Sequence, residues 1–208
     1  MLFRSWCLIR DDHVEVLTVK AAGITLSRDG VDAHYVRAAA VPKIFLTPEL
    51  HHGDFLHDPN LAGANAIAKA DSFCNGSIGK PDGQRYKAIL ADGTNRSAVP
   101  AVDWVTKPNT TYYQAAGALA LFTANAQGLY DRTIIPAPPF LSGLSTFEYL
   151  WSGLDTYFTT AYRTCQGWTS SADTEQGDCA EAASGELFTA RQPEICSHRS
   201  RGLICVSE

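Results

Sequence analysis

Residues 58–75 read Asp58-Pro-Asn-Leu-Ala-Gly63-Ala-Asn-Ala-Ile67-Ala-Lys-Ala70-Asp-Ser-Phe-Cys74-Asn75, and this stretch decides how the chain is expected to fold. Aspartate followed by proline is a common helix start, because the carboxylate caps the first turn and proline fits the first helical position. From Gly63 the small and apolar positions recur after four, three and four residues and end at Cys74, which places them on one helical face. The sequence therefore predicts a helix from Asp58 to about Cys74, with the cysteine directed into the core.

Short runs rich in apolar, aromatic and β-branched residues predict strands on both sides of this helix. They are Lys43-Ile-Phe-Leu-Thr47, Tyr86-Lys-Ala-Ile-Leu90, Tyr149-Leu-Trp151, Gly167-Trp-Thr169 and Gly202-Leu-Ile-Cys-Val206. Residues 95–148 carry mixed turn signals and only short apolar pieces. Few long helices are predicted, so the fold class is α+β, with short antiparallel strands, one or two helices and long ordered loops.

The first 41 residues form a separate segment in this interpretation. Alternating stretches at residues 13–19 and 23–27 predict small strands or a hairpin. The run Ala38-Ala-Ala-Val-Pro42 marks the junction, because proline forces the residue before it out of the helical region. We expect residues 1–41 to be an N-terminal extension or the remnant of a preceding β-rich segment, and residues 42–208 to be the main domain.

Composition and motifs exclude several classes of function. The formal net charge is −5 at pH 7, whereas nucleic acid requires clustered Lys and Arg, so we expect no nucleic-acid partner. No apolar run approaches the ~18 residues of a membrane span, so no transmembrane segment is expected. The sequence contains no GxSxG, P-loop or GxGxxG motif. We therefore expect neither an enzyme nor a cofactor.

The cysteine usage indicates an oxidising compartment. The chain has six cysteines and a single methionine, without a CxxC pair or a Cys/His zinc spacing, so disulfides are the first interpretation. We expect the protein to be secreted or on the cell surface. The N-terminus lacks the basic flank and apolar run of a secretory signal, so either the signal was removed or the start is wrongly placed.

Several motifs recur together within residues 42–206. They are Lys43-Ile-Phe-Leu-Thr47, Ala70-Asp71-x-x-Cys74-Asn75, Tyr86-Lys-Ala-Ile-Leu90-x-Asp92-Gly93, Asp103-Trp104-x-x-Lys107-Pro-Asn-Thr-Thr-Tyr112, Trp151-x-Gly153-Leu154, Cys165-x-x-Trp168-Thr-Ser170 and Leu203-Ile-Cys-Val206. Their order and spacing resemble a family of domains of unknown function found in leptospiral surface proteins, including the leptospiral endostatin-like adhesins. That resemblance implies a C-type lectin-like (endostatin-like) fold for the main domain.

The resemblance also implies two disulfides, Cys74 with Cys205 and Cys165 with Cys196. Six cysteines permit fifteen pairings, and sequence alone does not choose among them. The pairing of Cys7 and Cys179 stays open: they pair with each other or remain free. Two segments depart from the family pattern, a longer loop at residues 49–68 and a loop at residues 173–183 that carries Cys179.

The best candidate for a metal site is the run His51-His52-Gly-Asp54-Phe-Leu-His57-Asp58, which has imidazole and carboxylate ligands within one loop. Adjacent histidines project in different directions, Asp58 is expected to cap the helix, and no HExxH frame exists. We favour a solvated polar loop and expect no metal, with the question left open for His51, His52, Asp54 and His57.

A calcium-dependent sugar site is not expected either. C-type lectins that bind sugar through calcium have a Glu-Pro-Asn or Gln-Pro-Asp triplet and a Trp-Asn-Asp motif. In this sequence Trp168 is followed by Thr169 and Ser170, and the triplet at Lys107-Pro-Asn109 begins with the wrong residue. Calcium requires several oxygen ligands that include carboxylates, and these motifs do not supply them.

The aromatic residues divide into expected core and candidate ligand contacts. Trp104, Trp151 and Trp168 lie in strand-like motifs, so core packing is favoured for them. Tyr112-Tyr113 and Tyr157-Phe158 lie in loop-rich flanks and are better candidates for exposed anchors, although about half of them should be core. The ligand-binding residues themselves are not assigned.

The function that the resemblance implies is a non-enzymatic, surface-exposed binding module. Members of the resembled family look like adhesins for extracellular-matrix proteins, complement regulators and plasminogen, so the expected partner is an extracellular protein. One alternative is a calcium-independent carbohydrate-binding module, whose partner is a glycan. A second alternative is a structural spacer domain of a larger surface protein.

Overall fold

The computed structural model describes the backbone of residues 5–10, 13–20, 23–28, 31–35, 190 and 191, and both backbone and side chains of residues 41–115, 119–130, 149–181, 192–199 and 201–208. The Cα positions separate into two compact units, Met1–Ala40 and Val41–Glu208. Within the described residues no helix is both long and apolar enough to cross a membrane. Residues 38–40 of the expected junction lie outside the described residues, and the origin of the first segment stays a prediction.

The first unit is a four-stranded antiparallel meander. Its strands are β1 Ser5–Arg10, β2 His13–Lys20, β3 Gly23–Arg28 and β4 Val31–Tyr35, in that order in the sheet. The register pairs Cys7 with Val16 and Leu17 with Leu26. The strands predicted at residues 13–19 and 23–27 are confirmed.

The described residues of the second unit form one sheet and little helix. Its elements are β5 Lys43–Leu46, α1 Ala66–Gly76, β6 Tyr86–Ala88, β7 Thr111–Gln114, β8 Ala120–Thr123, β9 Tyr149–Trp151, the short turn α2 Cys165–Trp168, β10 Gln176–Glu181, β11 Ala190–Ile195 and β12 Gly202–Ser207. Four of the five predicted strands are confirmed, although the strand predicted at residues 86–90 ends at Ala88.

The sheet of the second unit is mixed. Its order is β11-β10-β9-β12-β5-β7-β8, with β6 paired to β12. The pairs β9–β12 and β5–β7 are parallel, so the expectation of antiparallel strands alone was wrong. Parallel neighbours need a crossover of about a dozen residues or more, and the long connections within both pairs supply it. The second unit is therefore rich in strand with few helices, an α+β or mostly-β fold with a mixed sheet.

The closing strand β12 lies in the middle of the sheet, and all six of its residues are buried. Ile204 and Val206 belong to one core cluster, whereas Leu203 and Cys205 belong to another. Successive side chains of a strand point to opposite faces, so β12 has core on both sides. This double burial explains its uninterrupted apolar sequence.

Helix α1 begins later than the sequence predicts. Asn65 is its N-cap, and the Asn65 side chain accepts a hydrogen bond from the N–H of Ala68 at 2.8 Å. Asp58 does not cap the helix, because its carboxylate accepts from the N–H of Asn60 and pairs with a histidine ring. The inner face is as predicted from Ile67 onward, with Ile67, Ala70 and Cys74 buried, but Gly63 lies outside the helix.

Two segments after β9 were assigned wrongly from the sequence. Residues 167–169, predicted as a strand, belong to α2 and its C-cap, and residues 173–183, predicted as a loop, contain strand β10. Trp168 places its indole in the core and donates from Nε1 to the carbonyl of Ala91 at 2.8 Å, which requires a sharp turn rather than an extended strand. Gly177 and Cys179 of β10 are buried, which a surface loop would not allow.

The three candidate tryptophans serve the core. Trp151 and Trp168 are fully buried, with ring centroids 5.6 Å apart in an edge-to-face arrangement. Trp151 donates from Nε1 to the carbonyl of His51 at 2.9 Å. Trp104 packs against the other core cluster and donates to the carbonyl of Gly128 at 3.1 Å. Each indole nitrogen therefore has a backbone partner, as a buried tryptophan requires.

A buried guanidinium ties three parts of the second unit together. Arg96 is 1% exposed. Its terminal nitrogens donate to both carboxylate oxygens of Asp71 on α1 at 2.7 and 2.8 Å and to the carbonyl of Ala88 on β6 at 2.8 Å. Its Nη2 and Nε donate to the carboxylate and the carbonyl of Asp103. All the donor directions of the guanidinium are used, so this network is structural.

Candidate functional site

The histidines and carboxylates that precede α1 pair with one another. His51 Nε2 lies 3.0 Å from Oδ2 of Asp58, and His57 Nδ1 lies 2.9 Å from both carboxylate oxygens of Asp54. His52 Nδ1 accepts a hydrogen bond from the N–H of Asp54 at 3.0 Å. Every residue of the candidate metal cluster therefore already has a partner within this loop.

The same loop packs on the core. The ring of His51 is buried and stacks on Phe55 with centroids 4.2 Å apart, so the expectation of a solvated polar loop was wrong. Burial, followed by repulsion from His51, lowers the pKa of His52. Burial raises the pKa of Asp58, but hydrogen bonds from Asn60 and His51 outweigh it, so the pKa is lowered. Among the described residues, no group of three or more His, Cys, Asp or Glu side chains could hold a metal ion.

The two aromatic pairs proposed as anchors each contain one buried ring. Tyr112 is buried, and its hydroxyl accepts a hydrogen bond from the N–H of Lys107 at 2.7 Å. Phe158 is buried and Tyr113 is half-buried. Tyr157 is 80% exposed. Of the four candidates, Tyr157 is therefore the strongest remaining anchor.

Tyr157 lies on a fixed loop beside a second exposed apolar segment. The carboxylate of Asp155 accepts from the N–H groups of Tyr157 and Thr159 at 2.8 and 2.9 Å. A parallel bridge joins Thr159 to Val99. Residues 99–102, Val-Pro-Ala-Val, are all exposed. We call Tyr157 together with residues 99–102 the apolar patch.

A few residues further along, Tyr162 is 100% exposed and lies between two grooves. The first groove has a volume of about 640 Å³ and is lined by Tyr162 and polar side chains from both sides of the bridge between Thr164 and Gly177. Gln166 Nε2 donates across it to Oε1 of Glu175 at 2.8 Å. The remaining lining residues are Arg163, Thr164, Thr174 and Gln176.

The backbone of the first groove has an unusual conformation. Cys165, Gln166, Gly167 and Trp168 all have positive φ angles, between 48° and 69°, so α2 is a single turn of left-handed helix. This conformation costs about 1–2 kcal/mol for each residue that carries a side chain. Such strain persists only where the surroundings impose it, and it clusters at binding and catalytic sites. The turn therefore marks this groove as a candidate site.

The second groove shares Tyr162 and Arg163 with the first and has a volume of about 370 Å³. Arg163 Nε lies 3.3 Å from Oδ1 of the buried Asp178, which fixes the guanidinium at the boundary between the grooves. Burial raises the pKa of Asp178, although the positive charge of Arg163 opposes the change. Gln192 and Asp155 also line this groove.

Sequence reasoning did not find Tyr162, Gln166 or Glu175. The available signal is the run Thr159-Thr-Ala-Tyr-Arg-Thr164, in which a tyrosine stands among small polar residues after Gly153, the composition of a surface loop. That run does not reveal a groove, because the other wall comes from Thr174, Glu175 and Gln176, which lead into β10.

Two disulfides connect the second unit. The structure joins Cys74 to Cys205 and Cys165 to Cys196, with Cα–Cα distances of 5.8 and 5.7 Å, and these are the pairs that the resemblance implies. Cys179 is buried and forms no disulfide with any cysteine whose side chain is described, and burial raises the pKa of its thiol well above the ordinary value. The side chain of Cys7 lies outside the described residues.

A family model described as protein of unknown function (DUF1554) matches residues 55–184, which is more than half of the chain, so the chain belongs to that family. None of the curated proteins matches the sequence. The matched residues include α1, the apolar patch and both walls of the first groove.

Proposed function

We propose that this member of the DUF1554 family is a non-enzymatic binding module of C-type lectin-like fold, exposed outside the cell, that contacts an extracellular-matrix or complement-regulator protein. The observation that carries the proposal is the apolar patch, in which a tyrosine held at 80% exposure stands beside four exposed residues of low polarity. The resemblance to endostatin-like adhesins supplies the class of partner.

The chemistry of the patch suits a protein partner. Tyrosine is enriched at binding hot spots, because it offers a large contact area with few rotatable bonds. The Asp155 carboxylate already fixes the backbone on both sides of Phe158, so little loop entropy is lost on binding. Val99 and Val102 add apolar surface that a partner can bury.

The two disulfides support an extracellular location. Disulfides persist in secreted and surface proteins and are rare where thiols are kept reduced. Each of them links distant parts of the second unit, with sequence separations of 131 and 31 residues. Two such links stabilise a domain in an oxidising environment, which agrees with the proposed location.

A binding screen tests the proposal. The oxidised full chain is titrated against immobilised laminin, fibronectin, plasminogen and a complement regulator, with Tyr157→Ala and Val102→Asp as patch variants. Ile78→Ser is the matched control, because Ile78 is 86% exposed but lies in the turn after α1. We expect saturable binding to one of these proteins and about tenfold weaker binding by each patch variant.

Three results would contradict the proposal. Absence of saturable binding to every protein would favour a structural spacer. Equal loss in Ile78→Ser would mean that the surface binds without specificity. Unchanged affinity in both patch variants would remove the patch as the contact face. Because exposed substitutions change folding stability by only about 0.5 kcal/mol, weaker binding by the variants will not reflect unfolding.

A further inference from the structure

The surroundings of Tyr162 differ from the apolar patch in chemistry. The ring is fully exposed and borders a groove on each side, whereas Tyr157 and residues 99–102 line neither groove. Most of the residues that line the two grooves carry a hydroxyl, amide, carboxylate or guanidinium group. A flat ring between two polar grooves can hold one apolar face of a ligand while its edges form hydrogen bonds.

We infer that the two grooves beside Tyr162 form a calcium-independent site for a neutral saccharide. Sugar rings combine a face of C–H groups with a rim of hydroxyls. The C–H groups carry partial positive charge and pack on the negative face of an aromatic ring. The hydroxyls donate and accept hydrogen bonds, which suits a lining of Gln, Thr, Glu and Arg side chains. The groove volumes, about 640 and 370 Å³, fall in the usual range for small-molecule sites.

The charges of the grooves favour a neutral ligand. Arg163 is the cation of both linings, and it pairs with the buried Asp178. Glu175 adds a carboxylate to the first groove, and Asp155 adds one to the second. A sulfated or phosphorylated ligand would meet more negative than positive charge and would be repelled.

We expect the proposed site to bind without calcium. The carboxylates of the grooves are already engaged: Glu175 accepts from Gln166, Asp155 accepts from two backbone N–H groups, and Asp178 pairs with Arg163. A calcium ion would need several oxygen ligands directed at one point. Recognition here therefore uses direct hydrogen bonds and ring packing.

The walls of the first groove are set before any ligand binds. The left-handed turn fixes Gln166, and the disulfide from Cys165 to Cys196 holds that turn to the neighbouring segment. The N–H of Cys196 donates to the carbonyl of Glu175 at 3.0 Å, which fixes the opposite wall. Because the walls of the groove are already rigid, little conformational entropy of the protein is lost when a ligand binds. This is a functional reason for the strained turn.

Saturation-transfer NMR tests the site with named neutral probes. Chitotriose, cellotriose and N-acetyllactosamine are added to the oxidised full chain, with and without EDTA. We expect at least one probe to bind, with the same affinity in EDTA and with the strongest transfer to C–H protons of one ring face. Tyr162→Ala should weaken binding by about tenfold, whereas Tyr162→Phe should keep it within about threefold, because the ring remains. Gln166→Asn shortens the amide and should also weaken binding.

Tyr157→Ala is the matched control, because it removes another exposed tyrosine that lines neither groove. Its saccharide affinity should equal that of the unaltered protein. The site is refuted by absence of transfer to all three probes, by full affinity in Tyr162→Ala, by equal loss in Tyr157→Ala, or by loss of binding in EDTA. Failure of protein binding through the apolar patch leaves these outcomes unchanged, so the two proposals can fail separately.

Discussion

The amide of Asn75 pairs with the backbone of Tyr86 as a neighbouring strand would. Its Nδ2 donates to the carbonyl oxygen of Tyr86 at 2.7 Å, and its Oδ1 accepts from the N–H of the same residue at 3.0 Å. Four residues earlier, Asp71 receives Arg96 and the N–H of Ala88. Asp71 and Asn75, the polar residues of the motif at residues 70–75, therefore attach α1 to β6 by hydrogen bonds. Their polar groups are used to hold the fold together.

Replacing Arg96 by Ala should lower the free energy of unfolding by about 3 kcal/mol, because it leaves the Asp71 and Asp103 carboxylates without their cation. Arg96→Lys should also be destabilising, because an ammonium cannot donate as a planar fork. Urea denaturation of the oxidised protein measures both. Arg85→Ala is the control, since Arg85 is 83% exposed in its pair with Glu208 and should change stability by less than about 1 kcal/mol. An equal effect at Arg85 would refute the structural role of the buried network.

At the scale of single elements, the helix start and the left-handed turn depend on different forces. Helix α1 starts where a local side chain, Asn65, satisfies a free N–H of the first turn. The turn α2 also has a local cap, because the Thr164 side chain accepts from the N–H of Gly167 at 3.1 Å, but three of its four residues carry side chains that disfavour positive φ. It forms because Cys165 and Trp168 are both drawn into the core.

Asn65→Ala should lower the free energy of unfolding by about 1 kcal/mol, because the N–H of Ala68 loses its acceptor. Asn65→Asp should keep most of the stability, since aspartate caps as well as asparagine does. Guanidinium denaturation followed by circular dichroism measures the difference. Equal losses in both variants would mean that the cap does not set the start of α1.

Gln166→Gly should raise the free energy of unfolding by up to about 1 kcal/mol, because glycine adopts the left-handed region without steric cost. Gly167→Ala should lower it by about 1 kcal/mol, although an added Cβ would meet no atom within 4 Å. Thermal unfolding with the disulfides intact compares the two. The same sign of change in both variants would contradict a strained turn.

At the scale of the whole molecule, the disulfides and the ionised carboxylates contribute to the free energy of unfolding of the second unit. The disulfide from Cys74 to Cys205 joins α1 to the central strand β12 across a separation of 131 residues. Removing it as Cys74→Ala with Cys205→Ala should cost about 5 kcal/mol in the chain-entropy treatment, against about 4 kcal/mol for Cys165 with Cys196, whose separation is 31 residues. Denaturation of the two double variants should rank them in that order, and the reverse order would contradict loop closure as the main cause.

Acid should destabilise the second unit. Burial raises the pKa of Asp82, but hydrogen bonds from Gln84, Lys43 and Tyr86 outweigh it, so the folded pKa lies well below the ordinary value of 3.8. The folded carboxyl therefore binds its proton more weakly than the unfolded one, and its stabilisation is complete above about pH 4 and is lost as the pH falls through the folded pKa. Asp82→Asn should flatten the loss of stability below pH 4, and the exposed Asp173→Asn should not. Identical acid profiles in both variants would refute this.

The sequence by itself determined most of the strand positions, the inner face of α1 and the predominance of strands over helices, because short apolar runs and helical spacing act locally along the chain. Tertiary structure decided the parallel pairings, the start of α1 and the left-handed turn. The Asp58 carboxylate, which was expected to cap the helix, binds Asn60 and His51 instead. Trp168 turns inward and donates to the carbonyl of Ala91. These contacts override the local preference for a helix start at Asp58 and for a strand at residues 167–169. The grooves beside Tyr162 exist only once β10 lies next to residues 163–166, and for that reason no local pattern could predict them.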